Sequence, residues 1–230
     1  IIHLLNQQLS ETRRNKKTKQ PLEQFSEALK HEGKKQSKRQ NVSLRHHNLE
    51  TFLTIKDVDT STTAYRGTLY EYETITCLQK LFGIVTRRVG KAGDDGIDFR
   101  GRWVLPDEKR VMVIGQCKSL CNKCPPSVVR DLEGTLYRET RGTIGILSSL
   151  SGFTNGAIKR YNGSSLPLIL ITVVENGARC EMFSWNKAAE TYLDGFQVTI
   201  NYQNNSDSEI LQKEPLLLYN NEKYIPDEKE

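Results

Sequence analysis

The stretch that decides the fold is GDDGIDFRGRWVLPDEKRVMVIGQCKS, residues 93–119. Two runs with alternating apolar side chains flank the turn-like segment PDEK, and this arrangement predicts a β-hairpin. With that turn, opposed residues have numbers that sum to about 214, which places Asp98 across from Gln116. Strand side chains alternate between faces, so Lys118 shares the face of Gln116 while Cys117 points to the other. The pattern therefore predicts that Asp98, Gln116 and Lys118 converge at one end of the hairpin, provided that the register does not slip.

The side chains of this trio suit phosphodiester chemistry with a divalent metal ion. A carboxylate such as Asp98 is a hard oxygen ligand for Mg²⁺ or Mn²⁺, and the carbonyl of Gln116 is a neutral, weaker one. The main-chain carbonyl of Cys117 and the carboxylate of Glu71, on the preceding helix, are candidates to complete the metal shell. Lys118 is placed to orient water and to offset charge that develops on a phosphate. Spacing alone leaves open the alternative of an ordinary surface Asp and Lys near a turn.

The charge is spread unevenly along the chain. The total is +5 over 230 residues, and residues 1–60 carry 12 Lys and Arg against 7 Asp and Glu. Residues 61–200 carry 18 against 14, and residues 201–230 carry 3 against 7. A basic body favours polyanionic partners because neutralised phosphates release counterions. No stretch approaches the roughly 18 apolar residues that a membrane span needs, so we expect no membrane partner.

Composition predicts three regions. Residues 1–60 have few apolar and many charged side chains, so we expect a basic, largely disordered arm, with a short helix at PLEQFSEALKH. Residues 61–200 carry the patterns of a folded domain. Residues 201–230 are predicted to form an acidic, irregular tail in which EPLLLYN can dock as an edge element.

Strand and helix patterns alternate through the central region. RGTLYEYETITCLQKLF repeats apolar residues at a helical period and stops at Gly83. Strand-like runs follow at IVTRRVG, IDFRGRWV, RVMVIGQCK, TIGILSS, LPLILITVV and ARCEMFSW, with helical patterns at PSVVRDLEGTLYRE, FTNGAIKRYN and NKAAETYL. Such alternation predicts an α/β sandwich whose sheet is covered on both faces.

The order of these motifs resembles the Mrr-like branch of the PD-(D/E)XK nuclease superfamily. DDGIDFRG and VIGQCKS resemble its Asp…Gln-x-Lys signature, in which Gln replaces the usual second acid. RGTLYEYET resembles the opening helix, VVRDLEGTL the helix after the Lys, and GTIGILSSLSGFTNGAIKRYN with LPLILI the elements that follow. Within the superfamily, the opening helix and the DDG-x-D loop are most similar to the fungal mitochondrial "required for respiratory growth" proteins. The resemblance covers about residues 65–195.

The resemblance implies a fold and a set of site residues. The fold would be an α/β three-layer sandwich of the restriction-endonuclease-like type with a mixed central sheet. Asp98 and Gln116 would be metal ligands, Lys118 the catalytic lysine and Glu71 a supporting acid. Asp95 would shape the glycine loop or bind a second metal.

The resemblance also implies a function, although a scaffold does not guarantee an activity. It implies hydrolysis of phosphodiester bonds with Mg²⁺ or Mn²⁺, on DNA rather than RNA, in mitochondrial nucleic-acid maintenance. The three key positions are intact, which favours an enzyme. The alternative is a non-catalytic nuclease-like module that binds nucleic acid or serves assembly, for example in a mitochondrial ribosome or nucleoid. Either function is compatible with a homodimer or a large ribonucleoprotein assembly.

Four basic residues are candidates for binding nucleic acid: Arg88, Lys91, Arg100 and Arg102. By alternation, Arg100 and Arg102 share the face of Asp98 if no bulge intervenes, so they are placed to hold a strand by its phosphates. Pairing with the nearby acids of the PDEK turn is the alternative reading of these arginines.

The cysteines leave one more alternative. Cys117, Cys121 and Cys124 have the C-x3-C-x2-C spacing that some [4Fe-4S] sites use, and Cys77 or Cys180 would be needed for a zinc site. The position of Cys117 inside the Gln-x-Lys strand argues against a cluster there.

The histidines lie in the predicted arm. Because all four are found before residue 61, we expect no histidine base in the folded body and expect His46 and His47 to be exposed.

Overall fold

The computed structural model describes residues 46–56, 58–90, 96–203 and 212–226. All of these residues belong to the unit His46–Glu230. The predicted helix PLEQFSEALKH and the site candidates Lys91 and Asp95 lie outside the described residues. The region boundaries at residues 60 and 200 stay predictions.

A six-stranded mixed sheet forms the centre of the fold. Its strands are β1 Ile84–Arg88, β2 Phe99–Val104, β3 Arg110–Lys118, β4 Ile144–Ser149, β5 Leu168–Val174 and β6 Arg179–Trp185. The strands lie side by side in chain order. β3, β4 and β5 are parallel neighbours, and the other neighbouring pairs are antiparallel. The crossovers that parallel neighbours require are the connections in which helices are found.

Helices cover both faces of this sheet. They are α1 Leu49–Leu53, α2 Thr63–Phe82, α3 Pro126–Leu136, α4 Asn155–Asn162 and α5 Lys187–Glu190. α2 packs on one face through Leu78 and Phe82, and the crossover helices α3 and α4 pack on the other through Leu132 and Ala157. The predicted α/β three-layer sandwich with a mixed central sheet is confirmed.

α2 ends where its sequence predicts but begins at Thr63, before the predicted pattern, which starts at Arg66. The Thr62 side chain accepts a hydrogen bond from the Tyr65 N–H at the first turn. Gly83 follows the last turn with φ +67°, and its N–H donates to the Gln79 carbonyl at 3.1 Å. Only glycine adopts this left-handed conformation at little cost, so Gly83 is an effective stop signal. Within the described ranges, no helix combines the length and the apolar character needed to cross a bilayer.

The β2–β3 hairpin has the predicted register. Phe99 pairs with Gly115, so the numbers of paired residues sum to 214, and Asp98 lies just before this first pair, with its N–H donating to the Gly115 carbonyl. The ring of Phe99 lies on Gly115, where a Cβ atom would collide with it. The absence of a side chain at residue 115 therefore lets a buried aromatic ring fix the pairing just before the candidate site.

The tail after residue 200 was predicted to be irregular, but it contributes strands to a second sheet. This sheet consists of β7 Phe196–Gln203, β8 Gln212–Tyr219 and β9 Glu222–Lys223, in antiparallel order. Phe196 and Leu217 are buried in the same core as α2, and Tyr224 packs against it. EPLLLYN, predicted to dock, supplies most of β8. Burial of Leu217 and partial burial of Leu216 and Leu218 outweigh the polar composition of the surrounding tail.

The residues before α2 also pack onto the body, which corrects the expectation that His46 is exposed. Its ring lies 4.9 Å from the Phe52 ring, and its Nδ1 atom is 2.7 Å from the Tyr72 hydroxyl. Phe52 in turn stacks on Tyr65 at 5.0 Å between ring centroids. Burial lowers the pKa of His46, and Arg88 lowers it further. Charge patterning had assigned His46 to the arm, but its aromatic contacts place it on the folded domain.

We expect Gly115→Ala to destabilise the domain by about 1–3 kcal/mol, because a fully buried Phe99 ring must move. Gly134→Ala is the matched control, since a Cβ atom on this exposed helical residue meets nothing within 4 Å. The control should stabilise the domain by up to about 1 kcal/mol. Urea denaturation measures both variants, and equal stability of the two would contradict this role of Gly115.

Candidate active site

Asp98 is held at the open end of the β2–β3 hairpin by its main chain and its side chain. Its N–H donates to the Gly115 carbonyl at 2.8 Å, and its carbonyl accepts from the Val89 N–H at 2.9 Å. Its carboxylate atom Oδ2 accepts a hydrogen bond from the Cys117 N–H at 2.6 Å. The carboxylate therefore bonds to the main chain between the other two predicted site residues, Gln116 and Lys118.

Gln116 is the buried polar residue of the site. Only 5% of the residue is exposed, and within the described ranges its Oε1 atom has no hydrogen-bond partner. Its Nε2 atom lies under Gly96, which has φ +79° and leaves no room for a Cβ atom. A buried, unpaired amide oxygen is costly unless it serves another purpose, such as binding a ligand.

Lys118 and Cys117 occupy opposite faces of the end of β3, as alternation predicts. Cys117 packs against the core on the α2 side, whereas Ile114, on the Gln116 face, belongs to the core under α3 and α4. Shielding from water raises the pKa of the Cys117 thiol, and the Asp98 charge raises it further. The Lys118 charge acts in the opposite direction and lowers this pKa.

Glu71 reaches the same region from α2. Its charge also raises the pKa of Cys117. The neighbouring residues Tyr70 and Thr74 fix this turn of α2, because both hydroxyls lie within hydrogen-bond distance of Ser148 Oγ, at 2.9 and 3.0 Å. Burial raises the pKa of Tyr70, so its hydroxyl stays neutral in this network. The polar contacts between α2 and β4 therefore set the position from which Glu71 approaches the site.

Arg88 is paired within the site. Its Nε donates to the Glu71 carboxylate, and its guanidinium lies 5.8 Å from the Tyr72 ring centroid. Both side chains of the ion pair are largely buried, with 20% and 14% exposed. The predicted role of Arg88 in binding nucleic acid stays a prediction, and the observed contact is with Glu71.

The two predicted arginines of β2 differ in their contacts. Arg100 makes a two-pronged ion pair with Glu139, with both N–O distances at 2.7 Å. Its hydrogen bonds hold the pKa of Glu139 below its usual value. Arg102 is exposed. The pairing predicted as an alternative does occur for Arg100, but its partner follows α3 and is not in the PDEK turn.

The three closely spaced cysteines do not form a cluster. Cys117 packs on the α2 side of the sheet, Cys124 is buried on the α3 side, and Cys121 is exposed. Cys124 donates to Ser149 Oγ at 3.3 Å. In the part of the chain that the structure describes, no three His, Cys, Asp or Glu side chains are grouped to hold a metal. The predicted oxygen site needs only one such side chain, Asp98.

A family model matches the chain across the helix, hairpin and sheet that form this site. The family is described as "Required for respiratory growth protein 7", and its model matches residues 62–112 and 104–202. The chain belongs to this family. The matched residues include Glu71, Asp98, Gln116 and Lys118, so the site lies within the part of the chain that the family model covers.

One curated relative and one solved structure are similar to this member of the respiratory-growth family. The relative is the uncharacterized mitochondrial protein C824.03c of Schizosaccharomyces pombe, 34% identical over 158 residues. The match covers 65% of this chain and 63% of the relative's length. The solved structure is the MspJI restriction endonuclease in complex with a 27-mer oligonucleotide. It is 23% identical, with 45% of this chain and 25% of the MspJI chain covered and a TM-score of 0.38.

Sequence reasoning did not identify three contributors to the site. Gly96 covers Gln116, Ser148 joins α2 to β4, and Glu139 pairs with Arg100. Gly96 had a signal, because it lies in the glycine-rich loop before Asp98. Ser148 and Glu139 had none, since both contacts depend on how α2 and α3 pack against the sheet.

We expect Cys121 to be alkylated much faster than the other four cysteines under native conditions. It is exposed, Cys77, Cys124 and Cys180 are buried, and Cys117 is partly buried with a raised pKa that suppresses its reactive thiolate. Mass spectrometry of iodoacetamide-treated protein measures the order, with Cys121→Ser as the control that removes the fast site. Protection of Cys121 until a chelator is added would contradict this and would revive the metal-cluster alternative.

Proposed function

We propose that this domain is a nuclease that uses Mg²⁺ or Mn²⁺ to hydrolyse phosphodiester bonds of DNA in mitochondria. The single observation that carries the proposal is the state of Gln116, whose buried Oε1 atom has no hydrogen-bond partner within the described ranges. This oxygen belongs to the residue next to Cys117, whose N–H binds the Asp98 carboxylate. A pair of oxygen ligands beside a lysine is the arrangement that the Mrr-like resemblance implies.

The residues present fit a hard divalent cation. The Asp98 carboxylate, the Gln116 amide oxygen and the main-chain carbonyl of Cys117 would hold it, and oxygen ligands of this kind are those that Mg²⁺ and Mn²⁺ prefer. A bound cation would supply Lewis-acid activation of a phosphate oxygen and would lower the pKa of a bound water. It would also satisfy the buried Gln116 oxygen, which has no partner among the residues that the structure describes.

The protein's own charged groups would assist the hydrolysis. A water oxygen forms a bond to phosphorus, the bond to one bridging oxygen breaks, and that oxygen takes up a proton. Lys118 would orient the water and offset the negative charge that develops on the phosphate. Glu71 would keep a second carboxylate near the metal site, and its ion pair with Arg88 would compensate its charge.

The mitochondrial location is supported by the family of the chain and by its similarity to a mitochondrial protein. The chain belongs to a family named for respiratory growth, and its Schizosaccharomyces pombe relative is described as mitochondrial. The chain spans about 63% of that relative's length. Loss of a nuclease that maintains nucleic acid in the organelle would impair respiration, which is consistent with the family description.

We expect Asp98→Asn and Lys118→Ala each to reduce metal-dependent cleavage of plasmid and oligonucleotide DNA by about 10²–10⁴-fold. Asparagine keeps an oxygen that can accept the Cys117 hydrogen bond, so Asp98→Asn should stay folded while losing the charge that binds metal. Cleavage is measured on gels with Mg²⁺, with Mn²⁺ and with EDTA. Binding of the same DNA in EDTA should be largely unchanged.

Asp131→Asn and Lys80→Ala are the controls, because each removes one exposed charge of the same sign elsewhere on the domain. Both should cut like the wild type. If the wild type binds nucleic acid but cuts neither DNA nor RNA with either metal, the proposal fails and the non-catalytic binding module is favoured. Cleavage that persists in Asp98→Asn would show that another site is responsible.

We also expect Gly96→Ala to reduce cleavage by about tenfold or more, because a Cβ atom at residue 96 would displace the Gln116 amide. Gly152→Ala is the matched control, since Gly152 has a similar φ of +73° but a Cβ atom there meets only Thr172, at 3.8 Å. Both variants should lose about 1 kcal/mol of stability from backbone strain. Comparable cleavage by the two variants would mean that the position of Gln116 does not matter.

A further inference from the structure

One face of the β1–β2–β3 part of the sheet is left open. On the other face of these strands, Ile84, Trp103 and Val111 are buried against the α2 side. By alternation and pairing, the open face presents Val85, Arg87, Arg100, Arg102, Val104, Arg110 and Met112. Met112 is 54% exposed and Val104 41%, so α3 and α4 do not extend over this region.

This face carries an unbalanced positive charge. Arg87, Arg102 and Arg110 are exposed, and none of them has an ion pair in the ranges that the structure describes. Arg100 is the exception, because its two nitrogen atoms bind Glu139. None of the seven positions on the face is acidic. We call the three unpaired residues Arg87, Arg102 and Arg110 the arginine face.

The arginine face begins close to the candidate active site. Arg87 pairs across the ladder with Arg100, which follows Asp98 by two residues, and Arg102 is two residues further along β2. Arg110 pairs with Val104, the last residue of β2. At about 3.4 Å per residue, the face extends about 20 Å away from Asp98 along the strand.

A cleft lies at the far end of the arginine face. It has a volume of about 670 Å³, and Arg102 and Arg110 line it together with Lys223, which ends β9. Glu108 and Glu222 also line it, so cations exceed acids there by one. Residues of the second sheet thus line one side of the cleft and place a further lysine at the far end of the arginine face.

We propose that the arginine face binds the phosphate backbone of the nucleic acid whose other end enters the candidate active site. The inference rests on the proposed function for the identity of the ligand. Exposed, unpaired guanidinium groups are the usual means of contacting phosphates without reading sequence. Their placement along a strand that leads from Asp98 gives a continuous path for a polyanion from the cleft to the site.

Salt dependence of binding tests the proposal directly. The protein is titrated in EDTA, so that nothing is cut, with a fluorescent 20-base-pair DNA, the single-stranded DNA and an RNA of the same sequence. Each phosphate contact contributes about 0.9 to the slope of log K against log salt on a duplex and about 0.7 on a single strand. The triple variant Arg87→Gln, Arg102→Gln, Arg110→Gln should therefore have a slope lower by about 2–3 and at least tenfold weaker binding.

The single variants Arg102→Gln and Arg110→Gln should each lower the slope by about one contact. Lys80→Gln is the matched control, because it removes one exposed positive charge from α2, the helix on the other face of the sheet. It should leave the slope unchanged. Because all these side chains are exposed, melting temperatures close to that of the wild type are expected and are measured alongside.

The outcomes separate this inference from the proposed function. If the wild type cuts DNA, and the arginine variants bind with the same affinity and cut at the same rate as the wild type, the arginine face is not the binding surface. If no metal supports cleavage but the variants still lose binding, the surface assignment stands and the nuclease proposal fails. Binding of anionic phospholipid vesicles, but of none of the three oligonucleotides, would overturn the assignment.

Discussion

The hydrogen bond from the Cys117 N–H to the Asp98 carboxylate is the contact on which the site depends. It joins the end of β2 to the main chain of β3 between Gln116 and Lys118, so one carboxylate is fixed beside both neighbouring side chains. It is made in the register in which Phe99 pairs with Gly115. A shift by one residue would turn Gln116 and Lys118 to the opposite face of the sheet.

The surrounding fold supports this contact from both sides. On the α2 side, Tyr70 and Thr74 bind Ser148 and hold Glu71 near the thiol of Cys117, while Arg88 neutralises Glu71. On the other side, the Gln116 amide is enclosed beneath Gly96, and its oxygen is left without a partner in the described part of the chain. A buried oxygen without a hydrogen-bond partner lowers the free energy of unfolding, and such unfavourable groups are found at binding sites.

Much of this arrangement could be predicted from local patterns. The PDEK turn and the alternation of β3 predicted the register of the β2–β3 hairpin, and Gly83 predicted the end of α2, because both depend on residues close in sequence. The contacts of Arg100 with Glu139 and of His46 with Tyr72 could not be predicted, since they join segments that meet only through packing. The second sheet was missed for a related reason: the leucines of β8, of which Leu217 is buried, lie in an acidic, polar tail, and the prediction gave more weight to composition than to their apolar pattern.

The central claim is that Asp98 and Gln116 share a divalent metal ion. Its most direct measurement is anomalous diffraction, at wavelengths on either side of the manganese edge, from crystals soaked in Mn²⁺. The account predicts one strong manganese peak within about 2.0–2.4 Å of the Asp98 carboxylate, the Gln116 amide oxygen and the Cys117 carbonyl. A well-ordered site with no peak there, and with the Gln116 oxygen hydrogen-bonded to a protein group, would contradict it.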